Sequence, residues 1–188
     1  MKSASFVQEV FQRSTRIFSK EQVEAALDKM AAAITAELHD KHPILLCVLV
    51  GGIVPMGNLL MRLNFPLEVD YVHVTRYTGN LVGKDNLTWK ARPSRDLQDR
   101  HVLIVDDILD GGITLASLVE AVKNMGAEKV YTSVVVDKNH QRDKDGLKEA
   151  DFVGLEVDDH YVFGFGLDYK EYFRNMPGIY MVAPEHEA

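Results

Sequence analysis

The segment from Val102 to Val136 leaves this chain few ways to fold. Val102-Leu-Ile-Val105 is a short, wholly apolar run that ends in acids. Asp106 to Thr114 is a polar, glycine-containing turn, Leu115 to Met125 has helical spacing closed by Gly126, and Lys129 to Val136 is a second β-rich run. Strand, loop, helix and strand in this order form a crossover unit, which lays its two strands side by side and parallel. A strand apolar at every position is buried on both faces, so helices must cover the sheet on both sides.

The rest of the chain repeats the alternation. Ile44-Leu-Leu-Cys-Val-Leu-Val50 is another continuous apolar run, ended by Gly51-Gly52; a helical stretch to about Leu63 follows it, then a strand with weaker alternation from Val69 to Val74. Phe152–Leu155 and Tyr161–Phe165 read as short strands, and a turn-rich tail holds one more apolar run, Ile179–Val182. Near the start, Phe6, Val7, Val10, Phe11, Ile17 and Phe18 recur at three- and four-residue steps, a helical face interrupted by Ser14. Ser19-Lys-Glu-Gln22 is a capping box opening a helix to about His39, with Val23, Leu27, Met30, Ala31, Ile34 and Leu38 inward. From Arg76 to Arg100, glycine, asparagine, aspartate and proline dominate around Trp89. A loop of this length inside a compact domain is expected as an active-site lid or a flexible segment. The expectation is an α/β fold in one domain spanning 1–188, with a mainly parallel sheet.

Composition narrows the partners. Acids outnumber bases 28 to 21, a formal net charge of −7, so no basic excess exists to displace phosphate counterions and no nucleic-acid partner is expected. Cys47 is the single cysteine, which excludes a disulfide framework or a multi-cysteine metal site within one chain. The beginning lacks the apolar run of a secretory signal and no stretch approaches membrane-spanning length, so a cytoplasmic protein without a membrane partner is expected.

Ligands of parallel sheets bind beyond the carboxyl ends of the strands. Three loops there carry chemistry: Gly51-Gly52, Asp106 to Thr114, and Lys138 onward. In the middle one, Gly111, Gly112 and the start of the next helix can offer consecutive backbone N–H groups to a phosphate, with the Thr114 hydroxyl as a further donor. Asp106, Asp107 and Asp110 stand beside that cradle. Carboxylates repel a bare phosphate but accept from sugar hydroxyls and help hold Mg²⁺, so the loop suits a phosphorylated sugar. Neither G-x-x-x-x-G-K-[ST] nor G-x-G-x-x-G occurs. On spacing alone, an acidic strand end that merely caps a helix is the lesser alternative for the same residues.

The run Val102-Leu-Ile-Val-Asp-Asp-Ile-Leu-Asp-Gly-Gly-Ile-Thr114 resembles the donor-binding loop of the type I phosphoribosyltransferases. Leu46-Cys-Val-Leu-Val-Gly-Gly52 is similar to that family's loop with a non-proline cis peptide, and Lys138 falls where its 6-oxopurine branch has a purine-recognising lysine. Tyr161-Val-Phe-Gly-Phe-Gly-Leu-Asp-Tyr-Lys-Glu-Tyr-Phe-Arg174 is similar to the C-terminal purine and pyrophosphate segment of the hypoxanthine-guanine, bacterial-type members. The resemblance spans roughly Glu21 to Val182.

What it implies is specific. The fold would be a twisted, mainly parallel sheet flanked by helices, with a small hood built from the chain termini and a mobile closing loop. The reaction would move the 5-phosphoribosyl group of 5-phosphoribosyl 1-diphosphate to N9 of hypoxanthine or guanine (xanthine is the third 6-oxopurine), releasing pyrophosphate with Mg²⁺ as cofactor. Asp110 would be the general base facing purine N7. Asp106 and Asp107 would bind the ribose hydroxyls near the metal, and Ile108, Leu109, Asp110, Gly111, Gly112, Ile113 and Thr114 would complete the phosphate and ribose loop. Val50, Gly51 and Arg174 would meet pyrophosphate. Lys138, His160, Tyr161, Val162 and Asp168 would form the purine site, with Asp168 the metal ligand and Arg76-Tyr77 the start of the closing loop. Subunits would pair as a homodimer or homotetramer.

The sequence departs from the commoner family pattern at Val50, where a lysine often precedes the glycines. It departs also at Gly111 in place of Thr or Ser, at Asp106 where Glu is frequent, and at Arg76 where Ser or Lys is common. The seven histidines show no zinc-ligand spacing and read as structural or solvated, and Cys47 reads as a small apolar residue. A nucleotide- or RNA-binding regulator on the same fold is the alternative to an enzyme.

Overall fold

The computed structural model describes residues 4–76 and 87–187, without the side chain of Arg76. A six-stranded sheet forms the centre, in the order β4-β3-β2-β5-β6-β7. Its strands are β2 (Ile44–Leu49), β3 (Glu68–Arg76), β4 (Leu87–Ala91), β5 (His101–Leu109), β6 (Lys129–Asn139) and β7 (Phe152–Asp158). Four neighbouring pairs are parallel, and only β4 runs antiparallel, on β3.

The apolar runs sit in the middle of the sheet because both faces are covered. In β2, Leu45 and Cys47 pack with Leu103 and Val105 of β5 into the core under α2 (Lys20–Leu38) and α3 (Ile53–Leu60). Ile44, Leu46 and Val48 face the other way, with Val102 and Ile104, toward Leu115, Leu118 and Val122 of α4 (Ile113–Asn124). Each such aliphatic chain taken fully out of water stabilises the fold by roughly 1.5–3 kcal/mol. α2 begins as expected: Ser19 Oγ accepts from Gln22 N at 3.3 Å while Gln22 Oε1 accepts from Ser19 N at 2.8 Å. All six residues expected on its inner face are buried.

A second, antiparallel sheet of β1 (Thr15–Phe18), β9 (Ile179–Met181) and β8 (Val162–Phe163) stands as a hood over the carboxyl edge of the first. It joins the two ends of the chain, with Thr15 opposite Met181. α1 (Ala4–Arg13) closes it through Val10 packed on Phe163, Tyr169 and Val182.

Three expectations are corrected here. Ile17 and Phe18 do not extend the first helix; the helix stops at Arg13 and they lie in β1, because the edge of β9 offers Thr15, Arg16 and Phe18 a ladder, with an irregularity at Ile17. Strand β5 does not end at Val105 but runs through Asp106 and Asp107 to Leu109, paired with β6 to the last residue. The segment 76–100 is not one irregular loop. Leu87–Ala91 is a strand on β3, and the chain after it is fastened by Asp70, whose carboxylate accepts from Ser94 N at 2.7 Å, Arg95 N at 2.8 Å and Tyr71 N at 2.8 Å. Arg76 closes β3; Tyr77 and the remainder of 77–86 lie outside the described residues.

Candidate active site

Two cavities open at the carboxyl edge of the sheet beneath the hood. The larger, about 450 Å³, is lined by Leu49, Val50 and Gly51 at the end of β2, by the whole stretch Asp106–Leu115, and by Asp168 and Arg174. The smaller, about 270 Å³, is lined by Lys138, Tyr161, Val162 and Leu167. Asp107, Ile108, Asp110 and Asp168 border both, so the two open onto each other along the end of β5.

The turn after β5 is built to show its amides. Arg142, near the start of the loop after β6, donates Nη1 to Leu109 O at 3.2 Å and Asp110 O at 2.9 Å. Asp143 N donates to Gly111 O at 3.1 Å and Leu147 N to Gly112 O at 3.0 Å. Four successive carbonyls are thereby turned toward 142–147. In a trans peptide the following N–H points the opposite way, so the amides of 110–113 are turned away from that segment. Gly112 makes the reversal possible with φ +81°, and the first amide of α4 to meet a helical carbonyl is Ala116 N, on Gly112 O at 2.9 Å. The amides before it are the orphan donors of every helix start, in a field that favours anions.

Acids occupy the opposite wall. Asp106 and Asp107 are neighbours on buried backbone, and burial first, then the charge of Asp107, drives the Asp106 carboxyl well above the usual carboxylate range. Asp107 is raised as well, chiefly by burial, while its hydrogen bond with Asp106 and the charge of Arg174 pull the other way. The same negative field reaches Cys47: burial, then Asp106 and Asp107, push its thiol up to about 12, so it stays a protonated, inert packing group. Arg174 answers the acids, with Nη2 2.5 Å from Asp168 Oδ1, and Nη1 2.7 Å from Gly166 O and 3.5 Å from Asp107 Oδ2. Asp168 also accepts from Glu171 N at 2.7 Å, capping a turn. That turn is held in rare backbone, with Phe165, Lys170, Glu171 and Phe173 at φ of 52°, 49°, 75° and 71°. Left-handed non-glycine residues cost about 1–3 kcal/mol each and cluster where a site demands them.

The cis peptide expected at the first loop is present, between Leu49 and Val50. A Cβ on Gly51 would meet the carboxylate of Asp107, which would have to turn aside. In the second cavity Lys138 Nζ reaches Asp110 Oδ2 and Asp159 Oδ1, both at 3.5 Å. Tyr161 is half-buried, packed edge-on to Tyr169 at 5.6 Å between ring centroids; its hydroxyl is raised, chiefly by burial.

The structure thus brings the expected phosphate, ribose, pyrophosphate and purine residues to one cleft, with two exceptions. His160 is exposed, its amide turned back to Asp158 O at 2.7 Å, and it lines neither cavity. Arg76 and Tyr77 add no side chain to the described site. Two neighbours of the turn after β5 were missed in sequence. Arg142 ties the loop after β6 to the loop after β5 and pairs with Asp137; its place beyond Lys138 was the available signal. His140, read as structural or solvated, has its Nε2 2.7 Å from Asp110 Oδ1.

A parallel sheet with an amide cradle and paired acids at its carboxyl edge defines an enzyme that handles a phosphorylated sugar. The phosphoribosyl transferase domain family matches residues 14–171. The hypoxanthine-guanine phosphoribosyltransferase of Bacillus subtilis strain 168 is 33% identical over 168 residues, 89% of this chain and 92% of that protein. That of Streptococcus pneumoniae R6 is 32% identical over 169 residues, 90% of this chain and 93% of that one. The solved hypoxanthine phosphoribosyltransferase of Staphylococcus aureus superposes with a TM-score of 0.86 at 25% identity, covering 100% of both chains. The chain belongs to the phosphoribosyltransferase family, on the branch of the hypoxanthine-guanine phosphoribosyltransferases.

Proposed function

We propose that this enzyme makes purine nucleotides by salvage, moving the 5-phosphoribosyl group of 5-phosphoribosyl 1-diphosphate to N9 of hypoxanthine or guanine. The observation that carries the reading is the union of the two cavities along Asp107, Ile108 and Asp110: a sugar phosphate on the amides and a purine beside Lys138 would meet there.

Breaking the anomeric C–O bond builds positive charge on the ribose and negative charge on the departing pyrophosphate. Asp106 and Asp107 accept from the ribose hydroxyls and face the first charge; Arg174 and the backbone after β2 face the second. The 5-phosphate rests on the amides of Gly111 to Thr114. Among the described residues no three His, Cys, Asp or Glu side chains converge into a metal cage. Mg²⁺ accepts few protein oxygens when substrate oxygens and water complete its shell, and Asp168, with Asp106 and Asp107 near, would hold it here. When bound, the ion supplies charge neutralisation at the pyrophosphate.

Lys138 donates to purine O6, which rejects adenine, since an amino group there would face another donor. Tyr161 stacks on the ring and the Val162 carbonyl accepts from a 2-amino group. Asp110 takes the N7 proton. The regulator alternative has no basic excess behind it at a net charge of −7, and no described helix is long and apolar enough to cross a membrane.

The test is formation of IMP and GMP from base, donor and Mg²⁺ by the purified chain. Asp110→Asn is expected to slow turnover about 10²–10⁴-fold with unchanged melting temperature, its side chain being 53% exposed. Undiminished turnover removes Asp110 from the role of base.

A further inference from the structure

Among the described residues the carboxylate of Asp110 meets the side chains of His140 and Lys138, and the distances rank them. His140 Nε2 is 2.7 Å from Oδ1, a full hydrogen bond, whereas Lys138 Nζ is 3.5 Å from Oδ2 and equally far from Asp159. Lys138 is therefore held loosely between two acids and can turn to a purine without losing a strong bond. The imidazole contact is the one that sets the orientation of the carboxylate. The backbone beneath keeps it there: His140 N donates to Lys138 O at 3.0 Å, and Arg142 donates to that carbonyl at 2.7 Å as well as to Asp110 O at 2.9 Å. The loops after β5 and β6 are one unit, and the ring, 21% exposed, spans the gap between them.

We propose that His140 is a positioning residue for phosphoribosyl transfer: Nε2–H donates to Asp110 Oδ1 and holds the carboxylate so that Oδ2 meets the purine N7–H. The inference rests on the role given to Asp110 above. In the step, the N9 lone pair forms the bond to the anomeric carbon, the C–O electron pair departs with pyrophosphate, and the N7 proton passes to Oδ2. A half-exposed carboxylate without the imidazole samples several rotamers, and only some of them place an oxygen at N7.

Steady-state kinetics on the full chain with hypoxanthine, donor and Mg²⁺ decide this. His140→Phe fills the same space without a donor, and its kcat is expected to fall roughly tenfold, the loss of one hydrogen bond to a charged group. The KM for donor should not move, because the phosphate cradle does not touch His140. His140→Gln carries an N–H to the same reach and is expected to recover most of kcat. In an Asp110→Asn background, His140→Phe should add nothing further. Equal kcat for the Phe and Gln variants, or the same loss in both backgrounds, overturns the inference. A wild-type chain that forms no nucleotide overturns instead the transfer reading beneath it.

Discussion

Replacing Gly112 by alanine probes the phosphate cradle at its tightest point. The residue sits at φ +81°, and a Cβ there would stand 2.5 Å from Leu147 O and 2.8 Å from Leu147 N. Both are backbone atoms of a segment that itself donates to Gly112 O at 3.0 Å, so neither can rotate aside. The left-handed conformation costs an L-residue roughly 1–2 kcal/mol, and overpacking adds about 1–3 kcal/mol. Together Gly112→Ala should destabilise the fold by about 2–5 kcal/mol. Gly57 supplies the control: it lies inside α3, and a Cβ there meets nothing within 4 Å. Gly57→Ala should therefore stabilise by about 0.5–1 kcal/mol, by helix propensity alone. Urea unfolding of both variants reads the two signs, and KM for the donor reads the function. Gly112→Ala is expected to raise that KM, because relieving the clash moves the peptides whose N–H groups form the cradle. A Gly112→Ala protein with the wild-type unfolding midpoint and donor KM would refute the reasoning.

Other outcomes follow from the same geometry. Asp70→Ala leaves three fastened amides without an acceptor and should cost about 3 kcal/mol in urea unfolding. Burial raises the Asp70 carboxyl, but hydrogen bonds from Arg95, Tyr71 and Ser94 outweigh it and hold the group below its ordinary 3.8. Its contribution is therefore present at neutral pH and lost as pH falls through that lowered value, which thermal melts of wild type and Asp70→Asn across the acid range will show. Asp106 is displaced upward, so its burden on the fold grows as pH rises above the ordinary carboxylate range; Asp106→Asn should melt later than wild type at neutral pH while binding donor more weakly. Lys138→Gln should narrow the hypoxanthine-to-adenine ratio of kcat/KM by roughly tenfold or more, since an amide can face either group at the 6-position.

Much of this was legible because it is local. The apolar runs at Ile44 and Val102, the capping box at Ser19 and the Asp-Gly turn after β5 each state their environment within a few residues. What escaped depends on partners distant in sequence. Ile17 and Phe18 keep helical spacing, yet the ladder with Ile179 and Tyr180 outweighs it. Pro93, Ser94 and Asp96 made the second half of the 76–100 stretch read as loop, but Leu87–Ala91 before them is an edge strand with Thr88 and Lys90 on its exposed face. His140 and Arg142 carry no motif; only the parallel register of β5 and β6, which sets Leu109 beside Asp137, brings them to Asp110.

The most direct trial is a crystal structure of the chain with Mg²⁺ and an unreactive analogue of 5-phosphoribosyl 1-diphosphate. The 5-phosphate oxygens should lie within about 2.7–3.2 Å of the amide nitrogens of Gly111 to Thr114, with the ribose hydroxyls on Asp106 and Asp107. A phosphate seated elsewhere, with those amides turned toward 142–147, would contradict the account.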